Sequence, residues 1–155
     1  MIVIRSLTKL FAIAGVRLGY VVSAPIIIKK LNMKRDPWPL NSFAIKAGIK
    51  LLENKKRYTL WTNQIHNWIN YEKNWITSNL DKIKQLKVHN SATNFFLIES
   101  TTSLTKNIIY LANRGILIRE CSSFRSLSDK WARISLQNTA NNKKLVEEIH
   151  NSFLK

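Results

Sequence analysis

Acidic side chains are scarce in this sequence. Nine Asp and Glu stand against 25 Lys and Arg, a formal charge of +16 over 155 residues. Such a balance invites a nucleic-acid or membrane-surface reading. The basic residues, however, are scattered among many Ile and Asn and form no long Lys/Arg block, the pattern of solvated faces. Nucleic acid is therefore not the expected partner, although the charge would also suit an anionic, phosphorylated substrate. Cysteine is nearly absent: Cys121 stands alone, which excludes an intrachain disulfide and fits a reducing cytosol. Long apolar runs are missing too. None approaches the length of a membrane span, and the apolar start at Met1 is too short for a signal core, with Arg5 and Lys9 interrupting it. No membrane partner and a cytoplasmic location are expected. His66, His89 and His150 lack metal-ligand spacing and read as surface residues, so no metal is expected.

What is present is enough apolar content, 45%, to bury a core. Ile2, Val3 and Ile4 predict a short buried strand over 1–5, followed by a loop at 6–9. Residues 15–23 read as a strand or bent strand pair. Pro25 starts a short helix to about Leu31, and Asp36-Pro37-Trp38-Pro39 reads as extended because each proline restricts its predecessor. Asn41 or Ser42 is placed to cap a helix reaching about Glu53. Over 57–80, Trp61, Ile65, Trp68, Ile69, Trp75, Ile76 and Leu80 fall on one helical stripe, with the tryptophans as packing.

After Asp81 the spacing predicts a strand at 95–98, a helix at 103–113 closed by Gly115 as its C′ residue, strands at 116–120 and 131–136, and a helix at 141–154. That last helix would turn Leu145, Val146, Ile149, Phe153 and Leu154 inward. Two domains follow: 1–80, incomplete, with a long linking helix, and 81–155, a small α+β domain of order β-α-β-β-α. The strands of the first half are apolar on both faces, as in the middle of a parallel or mixed sheet. They require neighbours and covering helices.

The chemistry lies in Ser6-Leu7-Thr8-Lys9 and, eight residues after the lysine, Arg17-Leu18-Gly19-Tyr20. Hydroxyls and a guanidinium fork suit a phosphate dianion, and a lysine amine beside them suits covalent catalysis on a carbonyl. Ser-x-x-Lys alone is weak, since serine-lysine acyl enzymes share it, but their Ser-Asp-Asn and Lys-Thr-Gly partners are absent here. Cys121 reads as a packed small residue and Asn94 as structural.

The whole string RSLTKLFAIAGVRLGY resembles the cofactor-lysine segment of class I/II aminotransferases, with Ala14-Gly15 where that family usually has Pro-Gly. The segment 36–41 resembles the Pro-Trp-x-x-Asn stretch of threonine-phosphate decarboxylases, and histidinol-phosphate aminotransferases are close relatives. The stretches 115–124 and 131–135 resemble the family's small-domain strands. The resemblance covers nearly the whole chain but only the C-terminal part of a family member.

That resemblance implies an α/β fold: a remnant of the large-domain mixed sheet of a fold-type I pyridoxal-phosphate transferase plus a complete small α+β domain. It implies pyridoxal 5'-phosphate as cofactor, with Lys9 as the catalytic lysine and Ser6, Thr8 and Arg17 as cofactor ligands. Arg133 would clamp the α-carboxylate of an amino acid substrate, and Arg119 would face its phosphate end. The implied activity is that of a threonine-phosphate decarboxylase of cobalamin biosynthesis in truncated form, or of a histidinol-phosphate aminotransferase. A homodimer is expected for the full-length family, and a complementary N-terminal chain for a split enzyme. The competing reading is an inactive fragment serving as an interaction or basic nucleic-acid-binding module.

Overall fold

The computed structural model describes residues 1–154. By their contacts they form two units, Met1–Ile65 and the chain from His66 onward.

In the N-terminal unit, β1 (Ile2–Ser6) pairs antiparallel with β2 (Gly19–Ser23), from Ile2 opposite Ser23 to Ser6 opposite Gly19. Gly19 is needed for that pairing. A Cβ there would stand 2.8 Å from the Arg5 carbonyl oxygen. The 7–18 excursion between the strands holds α1 (Leu7–Leu10) and a 3-10 turn (Ala14–Val16). Residues 6–9 are thus a strand end and a helical turn rather than a loop. Helix α2 (Pro25–Asn32) opens on its proline, and α3 (Ser42–Leu52) opens on Asn41, whose side chain accepts the Ala44 N–H at 2.8 Å. A small core of Leu7, Leu18 and Ala44 anchors the excursion, with Phe11, Ile13, Val16, Tyr20 and Leu40 packed around it.

Two expectations for this unit are corrected. The first strand is not buried: Ile2 is 51% and Ile4 76% exposed, because a two-stranded sheet covers neither face. The 36–39 segment does not run extended throughout. Trp38 adopts φ +61°, so the chain reverses through left-handed backbone. Pro39 does keep Trp38 out of the right-handed helical region, but that leaves more than one alternative.

Helix α4 (Lys55–Leu80) begins on Asn54, whose Oδ1 accepts the Arg57 N–H at 3.0 Å. In the C-terminal unit its stripe ends in buried Ile76 and Leu80, with Trp68, Ile69 and Trp75 packed beside them. Then come β3 (Leu86–Val88), β4 (Phe95–Ser100), α5 (Thr105–Ala112), β5 (Arg119–Glu120), β6 (Trp131–Ser135) and α6 (Thr139–Phe153). The sheet runs β3-β4-β6-β5 with every pair antiparallel. Phe96, Ile98, Ala132 and Ile134 form its buried face with Leu111, Leu145, Val146 and Ile149 from α5 and α6. Strand alternation sends Leu97, Arg133 and Ser135 to the opposite face.

Gly115 closes α5 as the spacing predicts. At φ +74°, it lets its own N–H reach the Ala112 carbonyl (2.9 Å) and Ile116 N–H reach the Leu111 carbonyl (3.0 Å). Three details differ from expectation. β3 is additional, too short to carry a period of its own. β5 covers only Arg119–Glu120 of the strand expected at 116–120. Leu154 lies past the end of α6 and is 84% exposed rather than inward.

One buried group breaks the apolar stripe. Glu72, only 1% exposed, accepts hydrogen bonds from the Thr139 hydroxyl and, at 2.8 Å, from Asn142 Nδ2. Asn142 in turn bonds the Gln137 backbone in both directions, so the carboxylate fixes the entry to α6. Its charge also faces a helix N-terminus, where negative charge is favoured. Glu72→Ala leaves two donors without their acceptor and is expected to cost about 2 kcal/mol. A lowered urea midpoint at unchanged slope would show it; an unchanged midpoint would refute it.

Candidate functional site

The β1–β2 ladder sets the first cluster. Leu7 N–H extends it to the Leu18 carbonyl at 3.1 Å, so both ends of the 7–18 excursion leave from one point. Ser6 closes β1, and Thr8, largely buried at 8% exposure, follows on α1. Arg17 does not lie on the returning strand. It sits just before it in left-handed backbone, φ +55°, with Nη1 donating to the Ala14 carbonyl at 3.4 Å. Ser6, Thr8 and Arg17 line a single open cleft of about 970 Å³. Its other charged walls are Arg5, Lys34 and Arg35, with no carboxylate among the described residues that line it.

A dianion entering that cleft meets hydroxyls and guanidinium groups and no opposing negative charge. The sequence pattern had not singled out Arg5, Lys34 or Arg35. Arg5 lies inside an apolar strand and the other two follow α2, so only the fold brings them to the cleft. Lys9 is exposed on α1, beside the cleft's Thr8 in sequence but not itself a wall of it. Tyr20, another wall, neighbours Tyr58, whose phenol is pushed up first by burial and then by Tyr20.

The second cluster lies in the C-terminal unit. Arg119 on β5 stands directly opposite Arg133 on β6. Like charges directly opposed across a ladder repel. Neither arginine forms an ion pair with a carboxylate among the described residues, so a strand-end salt bridge does not explain them. Arg119 Nη2 donates to Ser123 Oγ at 3.4 Å and its guanidinium lies 5.7 Å from the Phe124 ring; that of Arg133 lies 5.1 Å from the Phe95 ring. Both residues are exposed, so a guanidinium fork can be presented to an anion from each. A separation of 14 residues in sequence gave no hint that the two are cross-strand partners.

Of the histidines, only His66 is exposed. His89 Nε2 pairs with Glu99 Oε2 at 2.8 Å and its ring lies 4.8 Å from that of Trp131, while His150 Nε2 meets the Asn79 carbonyl at 3.1 Å. No group of side chains that could hold a metal ion occurs among the described residues. No helix among them is long and apolar enough to cross a membrane. The backbone carbonyl of Asn94 accepts the Leu136 N–H at 2.9 Å.

Residues 1–149 match the family model for aminotransferase class I and II. A histidinol-phosphate aminotransferase of Caldanaerobacter subterraneus is 32% identical over 154 residues, covering 96% of this chain and 40% of that protein. Among solved structures, the histidinol-phosphate aminotransferase from Clostridium acetobutylicum superposes with a TM-score of 0.86 at 28% identity, over 99% of this chain and 46% of its own. The L-threonine-O-3-phosphate decarboxylase from Porphyromonas gingivalis gives 0.83 at 26%, over 99% and 47%. The chain thus spans about two fifths of the length of the relatives it matches in sequence.

Cys121 lies close in sequence to the arginine pair but is buried, at 1% exposure, with Sγ donating to the Arg119 carbonyl at 3.4 Å. Burial pushes its thiol up, against the opposing pull of Arg133. A raised thiol pKa leaves less thiolate at neutral pH. Native protein is therefore expected to resist iodoacetamide at pH 7 and to alkylate readily once unfolded in urea, as read by intact mass. Equal rates in the two states would contradict this.

Proposed function

The chain belongs to the class I and II aminotransferase family, and from that membership we propose that it supplies the cofactor lysine and the anion-binding groups of a pyridoxal-phosphate enzyme. The favoured reaction is decarboxylation of a phosphorylated amino acid, as in a threonine-phosphate decarboxylase. The observation that carries the proposal is the pair of opposed arginines, without carboxylate partners among the described residues, which suits a substrate bearing two anionic groups. The cofactor is supported separately. The hydroxyls and guanidinium lining the cleft, with no acid among the described residues there, fit a phosphate dianion.

In this reading Lys9 would hold the cofactor through its amine, and Ser6, Thr8 and Arg17 would hold its phosphate. When bound, pyridoxal phosphate withdraws electrons from the substrate's α carbon and so weakens the bonds to it. The fork of Arg133 takes the α-carboxylate in a bidentate grip, which fixes which α bond is aligned for cleavage. Arg119, across the ladder, takes the phosphate end. Residues 1–80 would serve as part of the large cofactor-binding domain and 81–155 as the small domain. The working enzyme would be a homodimer, completed by the part of the fold that this chain does not span, on the same or a complementary polypeptide, and located in the cytoplasm.

The second reading is transamination of a histidinol-phosphate-type substrate, favoured by the 32% identical relative. There the Lys9 amine takes the α proton instead of the carboxylate being lost. The likeness of 36–41 to the decarboxylase segment and the place of Arg119 favour the first.

Borohydride reduction with pyridoxal phosphate is expected to fix label on Lys9 in preference to other lysines, and Lys9→Ala to abolish that preference. Label spread evenly over the lysines would overturn the assignment. With the assembled enzyme, threonine phosphate should yield carbon dioxide and aminopropanol phosphate. Formation of an oxo product from histidinol phosphate, with no carbon dioxide from threonine phosphate, would instead establish the second reading.

A further inference from the structure

The turn that carries Lys9 ends on a residue poorly suited to its conformation. Ala12 N–H reaches back to the Lys9 carbonyl at 3.4 Å and Ile13 N–H to the Thr8 carbonyl at 3.0 Å, the paired bonds of a helix C-terminus. Ala12 occupies the left-handed position of that pattern, φ +54°. Glycine is the usual residue there, since a Cβ strains left-handed backbone. Strained backbone persists where its surroundings over-determine it.

Helix α4 supplies that hold. Trp61, 51 residues from Leu10 in sequence, donates its indole Nε1–H to the Leu10 carbonyl at 3.1 Å. Its ring also stacks on Phe11, with centroids 6.2 Å apart and planes 7° apart, and Tyr58, one turn earlier on α4, meets the same Phe11 at 6.2 Å and 47°. Leu10 and Phe11 are the two residues that follow Lys9. The tryptophan belongs to the stripe that sequence spacing assigns to packing, yet it is 40% exposed, so burial alone does not account for it.

We propose that Trp61 is a positioning residue for Lys9: its hydrogen bond and stack on the two residues after the lysine hold the strained turn and so fix the direction of the amine. Trp61 acts through the turn. The proposal rests on the reading of Lys9 as the cofactor lysine.

Trp61→Phe keeps a ring against Phe11 and removes only the donor. Wild type and variant are treated with pyridoxal phosphate and borohydride, and label is mapped by peptide mass. Label on Lys9 relative to Lys46 is expected to fall about fivefold, the factor one modest hydrogen bond is worth, with the circular dichroism spectrum unchanged. Adding Ala12→Gly should restore it, because glycine holds the left-handed position unaided. Amide exchange at 10–13, read without cofactor, should quicken in Trp61→Phe. Unchanged Lys9 labelling together with unchanged exchange would overturn the proposal. If wild type itself shows no preference for Lys9 while exchange at 10–13 does respond, the cofactor-lysine reading fails and the hold on the turn stands.

Discussion

The β1–β2 ladder closes on Ser6 opposite Gly19, and that closure is the constraint on which the N-terminal site depends. It requires a residue without a Cβ at 19, since any other would collide with the Arg5 carbonyl. Once the two strands meet there, the 7–18 excursion must leave and return at one point. Ser6 and Thr8 from its start and Arg17 from its end then wall one cleft. The small core of Leu7, Leu18 and Ala44 keeps the excursion from swinging away. On the short α1 turn Leu7 and Thr8 face inward, while Ser6 before them and Lys9 after them are exposed, so core and site share one segment.

In the C-terminal unit the same division follows from strand periodicity. Phe96, Ile98, Ala132 and Ile134 give one face of the sheet to the helices. That commitment leaves the other face free for groups that a core would not tolerate, and two guanidinium groups can sit side by side on it because water solvates them. The buried Glu72 marks the opposite strategy: a charge taken inside, but with each oxygen provided with a side-chain donor.

Much of this was legible in local sequence. Asn41 as a cap, Gly115 as a C′ residue and the stripe of α4 through Ile76 and Leu80 rest on interactions within a few residues, and they stand where spacing put them. Ser6, Thr8 and Arg17 do line one cleft, but Arg17 stands before the returning strand instead of on it. What escaped depended on pairing between distant segments. Strand β3, the opposition of Arg119 and Arg133, the cations Arg5, Lys34 and Arg35 in the cleft, and the bond from Trp61 to Leu10 have no local signature.

Local sequence carries the makeup of the chemistry: a lysine among hydroxyls, far more cations than acids, one cysteine with no partner. The helices from α2 onward are legible there too, since helical periodicity and caps are written in neighbouring residues, whereas the four-residue α1 is not. The tertiary structure decided which charges face one another, which stripe residues serve packing and which hold a functional turn, and where the backbone turns left-handed at Ala12, Arg17 and Trp38. The physical reason is that strand register and side-chain contact are set by the whole fold's balance of burial and hydrogen bonding, which no short window of residues contains.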